Sequence, residues 1–355
     1  MVRCFLVLED GTVFEGVPFG HEGAVTGEIV FTTSMSGYQE SVTDPAYKGQ
    51  ILVSAFPLVG CYGVNDGYSI SDKAHINGLV VREYCKEPSD MYGGRTLDDY
   101  LKEQKIPGIS GIDTRDIVGA IRDNGAMGAA IVYSEKDVES VKKKLKNIDL
   151  AKESLVPLVS TKSVKKIDNK KGIAVGVLDC GADRRMIDDL SLYYDVIVFP
   201  HDTDAKKIIA SKIKALVVSG GPGNPDAAPD IAGTIKELSS SLPIAGVALG
   251  AQLIAKAFGC GSVKLKFGHH GSSQPVKHGD RVYITAQNHM YTVDQTSMKN
   301  TGLVMDQNNV NDGTLEGFSH STLPIFGIMY QPLSPKYDVR PYFYDKLKII
   351  TEVRK

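Results

Sequence analysis

Residues 243–258 read PIAGVALGAQLIAKAF and carry the clearest fold signal in the chain. The apolar run over 243–247 predicts a buried strand, and 253–258 continues as an apolar helix. Between them, residues 246–250 have the outline of a nucleophile elbow, in which glycines two positions to either side make room for one side chain on a sharp turn. The central residue is Ala248, where that chemistry needs Ser or Cys. On these residues alone, two glycines of an ordinary strand-to-helix turn explain the pattern equally well.

Strands and helices alternate on the N-terminal side of this turn. Apolar runs predict strands over 173–178, 195–199 and 215–219, with helices over 184–192, 205–213 and 231–238. Strands that are apolar throughout, with helices between them, are typical of a doubly wound, mostly parallel sheet covered on both faces. The glycine-rich loop 220–225 follows one of these strands, where ligands bind in such sheets. It also fits a plain tight loop.

The first 150 residues follow a different pattern. Asp10-Gly11 joins two short apolar runs and predicts a hairpin, and further strands are predicted over 28–33, 51–56 and 77–81. Helices are predicted over 96–101 and 113–121, the second ending at Asn124-Gly125. Residues 151–172 are polar and rich in lysine, which favours a solvated linker over a surface helix. We therefore predict a β-rich α/β domain over 1–150, a linker over 151–172 and a second α/β domain over 173–355.

Composition argues against several classes of function. The chain has 40 Lys+Arg and 42 Asp+Glu, a net charge of −2, so charge gives no argument for nucleic acid or a membrane surface. Its five cysteines are widely spaced without a Cys-x-x-Cys pair, which favours neither a disulfide framework nor a zinc site. There is no signal-peptide core, and no apolar stretch could span the ~30 Å of a bilayer. We expect a cytoplasmic protein with no metal site and no Walker A loop.

A set of motifs extends over almost the whole chain. In the first domain they are GEIVF (27–31), TSMSGYQE (33–40), TDPAY (43–47), NGLVVR (77–82) and GIDTR (111–115). In the second domain they are GGPG (220–223), KFGHHG (266–271), AQNH (286–289) and DGTLEG (312–317). These motifs resemble the small subunit of carbamoyl phosphate synthetase. The N-terminal motifs separate it from other class I glutamine amidotransferases, which lack that domain.

The resemblance implies that the second domain has the class I glutamine amidotransferase fold. In that family this domain hydrolyses glutamine with a Cys-His-Glu triad, and the ammonia passes to a large subunit. The resemblance therefore implies a large-subunit partner, contacted by the first domain, and places ATP and magnesium there, with no cofactor in this chain. Carried over by position, the triad falls on Ala248, Gln331 and Leu333. A methyl group forms no thioester and a carboxamide takes up no proton near neutral pH, so we expect the glutaminase centre to be inactive and the complex to use free ammonia.

The family's glutamine pocket is altered as well. Ala46 stands in place of a serine, Met290 in place of a glycine that lets the backbone approach the substrate, and Tyr291 in place of a phenylalanine. The pocket positions that match the family are Gly221, Gly223, Leu249, Gln252 and Asn288. They either bind a small molecule or persist because the fold requires them.

Two other functions stay open. Cys180, at the end of the first strand of the second domain, is a candidate for a displaced nucleophile in a glutamine-hydrolysing subunit, although most free cysteines are packing residues. The chain could instead be a non-catalytic protein that binds an amino acid. The adjacent His269 and His270 point to opposite faces of an extended segment and cannot hold one metal together. His289 is expected to pack or to form hydrogen bonds.

Overall fold

The computed structural model describes residues 3–90, 93–146, 150–332, 334–336 and 342–352. The chain divides into two compact units, one formed by residues 1–150 with 266–271 and the other by 151–265 with 272–355. Within the described ranges, no helix combines the length and the apolar character that a membrane span requires.

The first unit contains a closed seven-stranded sheet of order β1-β2-β8-β6-β4-β3-β9, in which β9 pairs back onto β1. The small strands β5 and β7 pair separately. The strands are β1 (Cys4–Leu8), β2 (Val13–Gly20), β3 (Val25–Thr32), β4 (Gln50–Ser54), β5 (Leu58–Val59), β6 (Gly78–Val80), β7 (Glu83–Tyr84), β8 (Pro107–Ser110) and β9 (Met127–Val132). The helices are α1 (Tyr38–Val42), α2 (Leu97–Glu103), α3 (Thr114–Asn124) and α4 (Glu135–Leu145).

Local sequence signals explain much of this unit. The predicted hairpin is present, because β1 and β2 pair antiparallel with Val7 opposite Val13. Helix α3 begins where the Asp113 carboxylate accepts a hydrogen bond from the Arg115 N–H (3.0 Å), and it ends at Gly125, whose φ is +94°. One face of the sheet encloses a core of buried aliphatic side chains, among them Leu6, Ile29, Ile51, Ile109 and Ile131.

The second unit is built on a ten-stranded sheet of order β10-β12-β11-β13-β14-β19-β18-β17-β15-β16. Its strands are β10 (Lys165–Ile167), β11 (Ala174–Asp179), β12 (Asp195–Pro200), β13 (Ala215–Val218), β14 (Ile244–Val247), β15 (Ser262–His278), β16 (Arg281–Val293), β17 (Leu303–Asn309), β18 (Leu315–His320) and β19 (Ile325–Ile328). The helices are α5 (Val156–Val159), α6 (Arg184–Ser191), α7 (Ala205–Ala210), α8 (Pro229–Leu238), α9 (Leu249–Ala257) and α10 (Tyr342–Glu352).

The middle of this sheet confirms the predicted doubly wound architecture. Strands β12, β11, β13, β14 and β19 are parallel neighbours. Their side chains alternate between two buried apolar clusters, so that Leu216 and Val218 of β13 enter one cluster and Ala215 and Val217 enter the other. Such burial on both faces explains why these strands are apolar at every position.

The segment 151–172 contains more regular structure than a solvated linker would. Most of its residues are exposed, but β10 pairs antiparallel with β12 and Val156 is only 2% exposed. The Thr161 N–H also donates to the Asp179 carboxylate (2.7 Å). Lys165 and Lys166 are exposed, since an edge strand is held by main-chain hydrogen bonds and needs few apolar side chains. The lysines in this segment therefore led the sequence analysis to miss strand β10.

Two further differences concern the elbow helix and the antiparallel strands. Helix α9 begins at Leu249, four residues before the predicted start. Strands β15 to β19 were not predicted. Much of β15 and the first four residues of β16 are exposed at consecutive positions and so lack an alternating pattern. Six residues of β15, Lys266–Gly271, belong to the first unit, in which the Ala126 N–H donates to the Lys266 carbonyl (2.7 Å).

Two glycine-to-alanine variants test the packing of the elbow. A Cβ at Gly250 would overlap the Val218 carbonyl oxygen, whereas a Cβ at Gly233, in the exposed face of α8, would meet nothing within 4 Å. We expect Gly250→Ala to lower the free energy of unfolding by about 3 kcal/mol. Gly233→Ala should raise it by about 0.5–1 kcal/mol through helix propensity. Urea unfolding followed by circular dichroism measures both, and equal effects would contradict the assigned packing.

Candidate functional site

The site is organised by the turn at Ala248, between β14 and α9. Ala248 has φ +47° and ψ −113°, a backbone conformation that L residues rarely adopt. Its N–H donates to the Ile328 carbonyl (2.8 Å), and its carbonyl accepts from the Gln252 N–H (3.1 Å). Such a conformation costs about 1–3 kcal/mol and persists only where the surroundings enforce it. The backbone therefore has the strained geometry of a nucleophile elbow, but its side chain is a methyl group.

Glycines on both sides make this turn possible. A Cβ at Gly246 would lie 2.7 Å from the Ala251 N and Cα atoms, so the start of α9 packs directly on the end of β14. At Gly250, a Cβ would overlap the Val218 carbonyl oxygen of the adjacent strand. The two glycines are thus required by backbone packing, independently of what residue 248 does.

Gln331 lies beside Ala248. It follows β19, and its N–H donates to the Ala286 carbonyl (2.9 Å) in an isolated bridge to β16. A Cβ placed on Gly220 would be 3.7 Å from the Ala248 Cβ and 3.8 Å from the Gln331 Nε2, so both side chains line the same small space. The structure thus brings together two of the three predicted triad positions. The third, Leu333, lies outside the described residues.

The glycine-rich loop also borders this space, and packing explains its glycines. A Cβ at Gly221 would overlap the Cys180 carbonyl oxygen. Gly223 has φ +90°, which favours glycine. The next residue, Asn224, accepts a hydrogen bond from the Asp226 N–H (3.0 Å) and so closes the loop.

The remaining predicted pocket residues of this unit are nearly inaccessible. Leu249, Asn288, Met290 and Tyr291 are at most 8% exposed. Gln252 is also buried, and its Nε2 donates to the Tyr291 carbonyl (3.0 Å) while its Oε1 has no hydrogen-bond partner among the described residues. Ala46 belongs to the first unit, in the 3₁₀ turn Pro45–Tyr47, where its N–H donates to the Asp44 carboxylate (2.9 Å).

A buried polar network in the antiparallel strands was missed by sequence reasoning. Glu316 is fully buried and accepts hydrogen bonds from the Gln287 Nε2 (2.9 Å) and the Asn309 Nδ2 (3.0 Å). The ring nitrogens of His289 lie 2.9 Å from the Tyr291 carbonyl oxygen and 3.0 Å from the Gln287 Oε1. The motifs AQNH and DGTLEG contain three of these residues, but only the pairing of distant strands shows that they meet. The network fixes the strand that carries Asn288 and Met290.

Comparisons with known proteins agree with this architecture. Residues 6–131 match the family model of the carbamoyl-phosphate synthase small chain, CPSase domain, and residues 177–332 match glutamine amidotransferase class-I. A carbamoyl phosphate synthase small chain from Archaeoglobus fulgidus is 40% identical over 347 residues, covering 97% of each chain. The protein of that name from Caldanaerobacter subterraneus is 40% identical over 334 residues, covering 93% of this chain and 91% of the relative.

The chain belongs to the carbamoyl phosphate synthase small-chain family. The family resemblance and the α/β fold class expected from the sequence are therefore confirmed, including the amidotransferase-type second unit.

Cys180 has a different environment from Ala248. Its side chain is fully buried in the apolar cluster that includes Leu178 and Leu249, whereas Ala248 belongs to the cluster on the other face of the sheet. Burial, and secondarily the neighbouring Asp179, raises the pKa of the Cys180 thiol far above its usual value. The thiol is thus protonated at neutral pH and enclosed by aliphatic side chains.

Replacing Ala248 with glycine tests the strain at the turn. Ala248→Gly removes the unfavourable backbone conformation but loses one packed methyl group, so we expect stability to stay unchanged or to rise by about 1 kcal/mol. The matched variant Ala255→Gly, in the interior of α9, should lose about 2 kcal/mol. Urea unfolding of both variants gives the comparison. Equal losses would mean that residue 248 is not strained.

Proposed function

We propose that this chain is the small subunit of a carbamoyl phosphate synthetase whose own glutaminase centre is inactive, and that the complex uses free ammonia. The observation that carries this proposal is the pair Ala248 and Gln331, a methyl group and a carboxamide facing one space at an elbow of otherwise intact geometry.

Neither group supports the amidotransferase reaction. Thioester formation requires a thiolate, and its activation requires an adjacent base that takes up a proton. The Ala248 methyl offers no nucleophile, and the Gln331 carboxamide does not accept a proton near neutral pH. Binding and oxyanion contacts alone leave at most about 10³–10⁴-fold acceleration over water.

Retention of the strained turn suggests what the second unit still does. The turn at Ala248 keeps its strained backbone although it carries no reactive side chain. This is expected if the complex needs the shape of the second unit but does not need glutamine hydrolysis there. We infer that the chain stabilises or regulates a large subunit, which it contacts through residues 1–150, and that ATP and magnesium are bound by that partner.

The environment of Cys180 argues against the alternative of a displaced nucleophile. A thiol with a raised pKa, enclosed in an apolar cluster, has neither the charge nor the access that attack on glutamine requires. The second alternative, binding of an amino acid without catalysis, has one supporting observation. The buried Gln252 Oε1 is an acceptor with no partner in the described part of the chain.

The choice of nitrogen donor tests the proposal. We expect the complex purified with its large subunit to form carbamoyl phosphate from ammonium, bicarbonate and ATP, and to show no glutamine-supported synthesis above background. Radiolabelled bicarbonate incorporation measures both rates.

The control for this experiment is Cys180→Ala, which should leave both rates unchanged. Glutamine-supported synthesis that this substitution abolishes would instead establish the displaced nucleophile. Failure to recover any large subunit with the chain from native extract would contradict the proposed partnership.

Restoring the family residues provides a second test. We expect Ala248→Cys, Gln331→His and Leu333→Glu together to release glutamate from glutamine at least about tenfold faster than the unmodified chain, because the triad acts as a unit. Ala248→Cys alone should give much less, since its thiol lacks a base. Coupled glutamate dehydrogenase measures the release. Equal rates of glutamate release for the single and triple variants would contradict the role of a base that we assign to position 331.

A further inference from the structure

The first unit contains two neighbouring cysteines that the proposed function does not use. Cys61 is exposed in the turn after β5, and Cys85 is half-buried directly after β7. Strands β5 and β7 pair in parallel, with Val59 opposite Tyr84, so both cysteines leave the same end of this small sheet. The Cys85 side chain is close enough to contribute to the raised pKa of the Cys61 thiol, and the Cys85 thiol itself donates a hydrogen bond to the Glu87 carbonyl (3.3 Å). Residues 24 apart in sequence are thus neighbours in space.

Main-chain hydrogen bonds hold both cysteines in place. The Cys85 N–H donates to the Val59 carbonyl (2.8 Å), and the Cys61 carbonyl accepts from the Ser89 N–H (2.8 Å). Residues 60–63 form a tight turn, closed by the Gly63 N–H donating to the Gly60 carbonyl (3.1 Å). Gly60 lies opposite Cys85, because a Cβ placed on Gly60 would be 3.6 Å from the Cys85 N, and Cys61 is the next residue of the chain. Paired strands lie about 4.8 Å apart and a disulfide spans ~4.4–6.8 Å between Cα atoms, so a bond between residues one position out of register requires only a local adjustment of the turn at Cys61.

We propose that Cys61 and Cys85 form a reversible disulfide in the folded chain when a low-molecular-weight disulfide such as oxidised glutathione is present. One protein thiolate attacks a sulfur of the oxidant, which forms a mixed disulfide and releases one glutathione thiolate. The second protein thiolate then attacks the protein sulfur of that mixed disulfide and releases the other glutathione. The two protein thiols lose two electrons and two protons in total, and the oxidant becomes two molecules of reduced glutathione.

Among the five cysteines, this pair is the preferred site of oxidation because an oxidant can reach it. Cys4, Cys180 and Cys260 are buried, whereas Cys61 is exposed to an oxidant. Partial burial, followed by the neighbouring Cys85, raises the pKa of the Cys61 thiol. Since the thiolate is the attacking species, we expect the bond to form slowly at neutral pH and faster as the pH rises.

The bond would constrain a turn that supports one of the sequence motifs. Tyr62, next to Cys61, stacks on Tyr38 with ring centroids 4.3 Å apart, and its hydroxyl accepts from the Gly37 N–H (2.8 Å). The motif TSMSGYQE is thus held directly by the turn that contains Cys61. This bond would form whether or not the glutaminase centre is active.

Peptide mapping of the oxidised full-length chain tests the proposal. The protein is incubated with oxidised glutathione at pH 7 and pH 9, alkylated with iodoacetamide and digested with trypsin. We expect residues 49–73 to appear disulfide-linked to residues 83–86 as the main cross-linked species. The link should form several-fold faster at pH 9 and disappear on treatment with dithiothreitol.

Matched variants distinguish the native bond from adventitious oxidation. Cys260→Ser should leave the 61–85 link unchanged, whereas Cys61→Ser should abolish it and leave a glutathione adduct on Cys85. The proposal is overturned if glutathione accumulates on Cys61 of the folded chain without the link. It is equally overturned if the link forms only in guanidinium, because the folded geometry would then not bring the sulfurs together.

Discussion

The close contact of β14, α9 and β13 around Ala248 is the constraint on which the second unit depends. Gly246 brings the end of β14 against Ala251, and Gly250 brings the first turn of α9 against the Val218 carbonyl. The chain can pass from strand to helix there only through a strained residue, whose φ is +47°. Ala248 belongs to one apolar cluster of the sheet and Leu249 to the other, so the turn connects the two.

This packing constraint fixes the fold of the second unit, and it acts on the backbone and not on the side chains that could react. Gly221, Gly246 and Gly250 each occupy positions where a methyl group would meet backbone atoms. Their presence therefore follows from packing and gives no argument for catalysis. The side chains at 248 and 331, to which we assign the family's catalytic positions, are not fixed in this way, since packing accepts a methyl group and a carboxamide there. The strained shape of an elbow is thus compatible with a methyl group at its centre.

In the first unit, the fold brings together two reactive side chains that no feature of the sequence would pair. Wide spacing of the five cysteines, without a Cys-x-x-Cys pair, gave no reason to expect a disulfide. The parallel pairing of β5 with β7 nevertheless brings Cys61 beside Cys85. Tyr62 connects this pair to the loop at Gly37 and Tyr38, so a change in the oxidation state of the pair would act on a motif-bearing loop.

The sequence by itself determined the parallel core and the hairpin of β1 and β2, because these features depend on apolar runs and glycines within short segments. For the turn at Ala248 it left an elbow and an ordinary strand-to-helix turn open, and the structure decided for the strained elbow. Only the tertiary structure decided which distant residues meet: Gln331 with Ala286, Glu316 with Gln287, and Cys61 with Cys85. It also decided that 165–167 form a strand and that the Cys180 thiol is enclosed. Edge strands and polar networks leave little periodic signal, since hydrogen bonds between remote segments stabilise them.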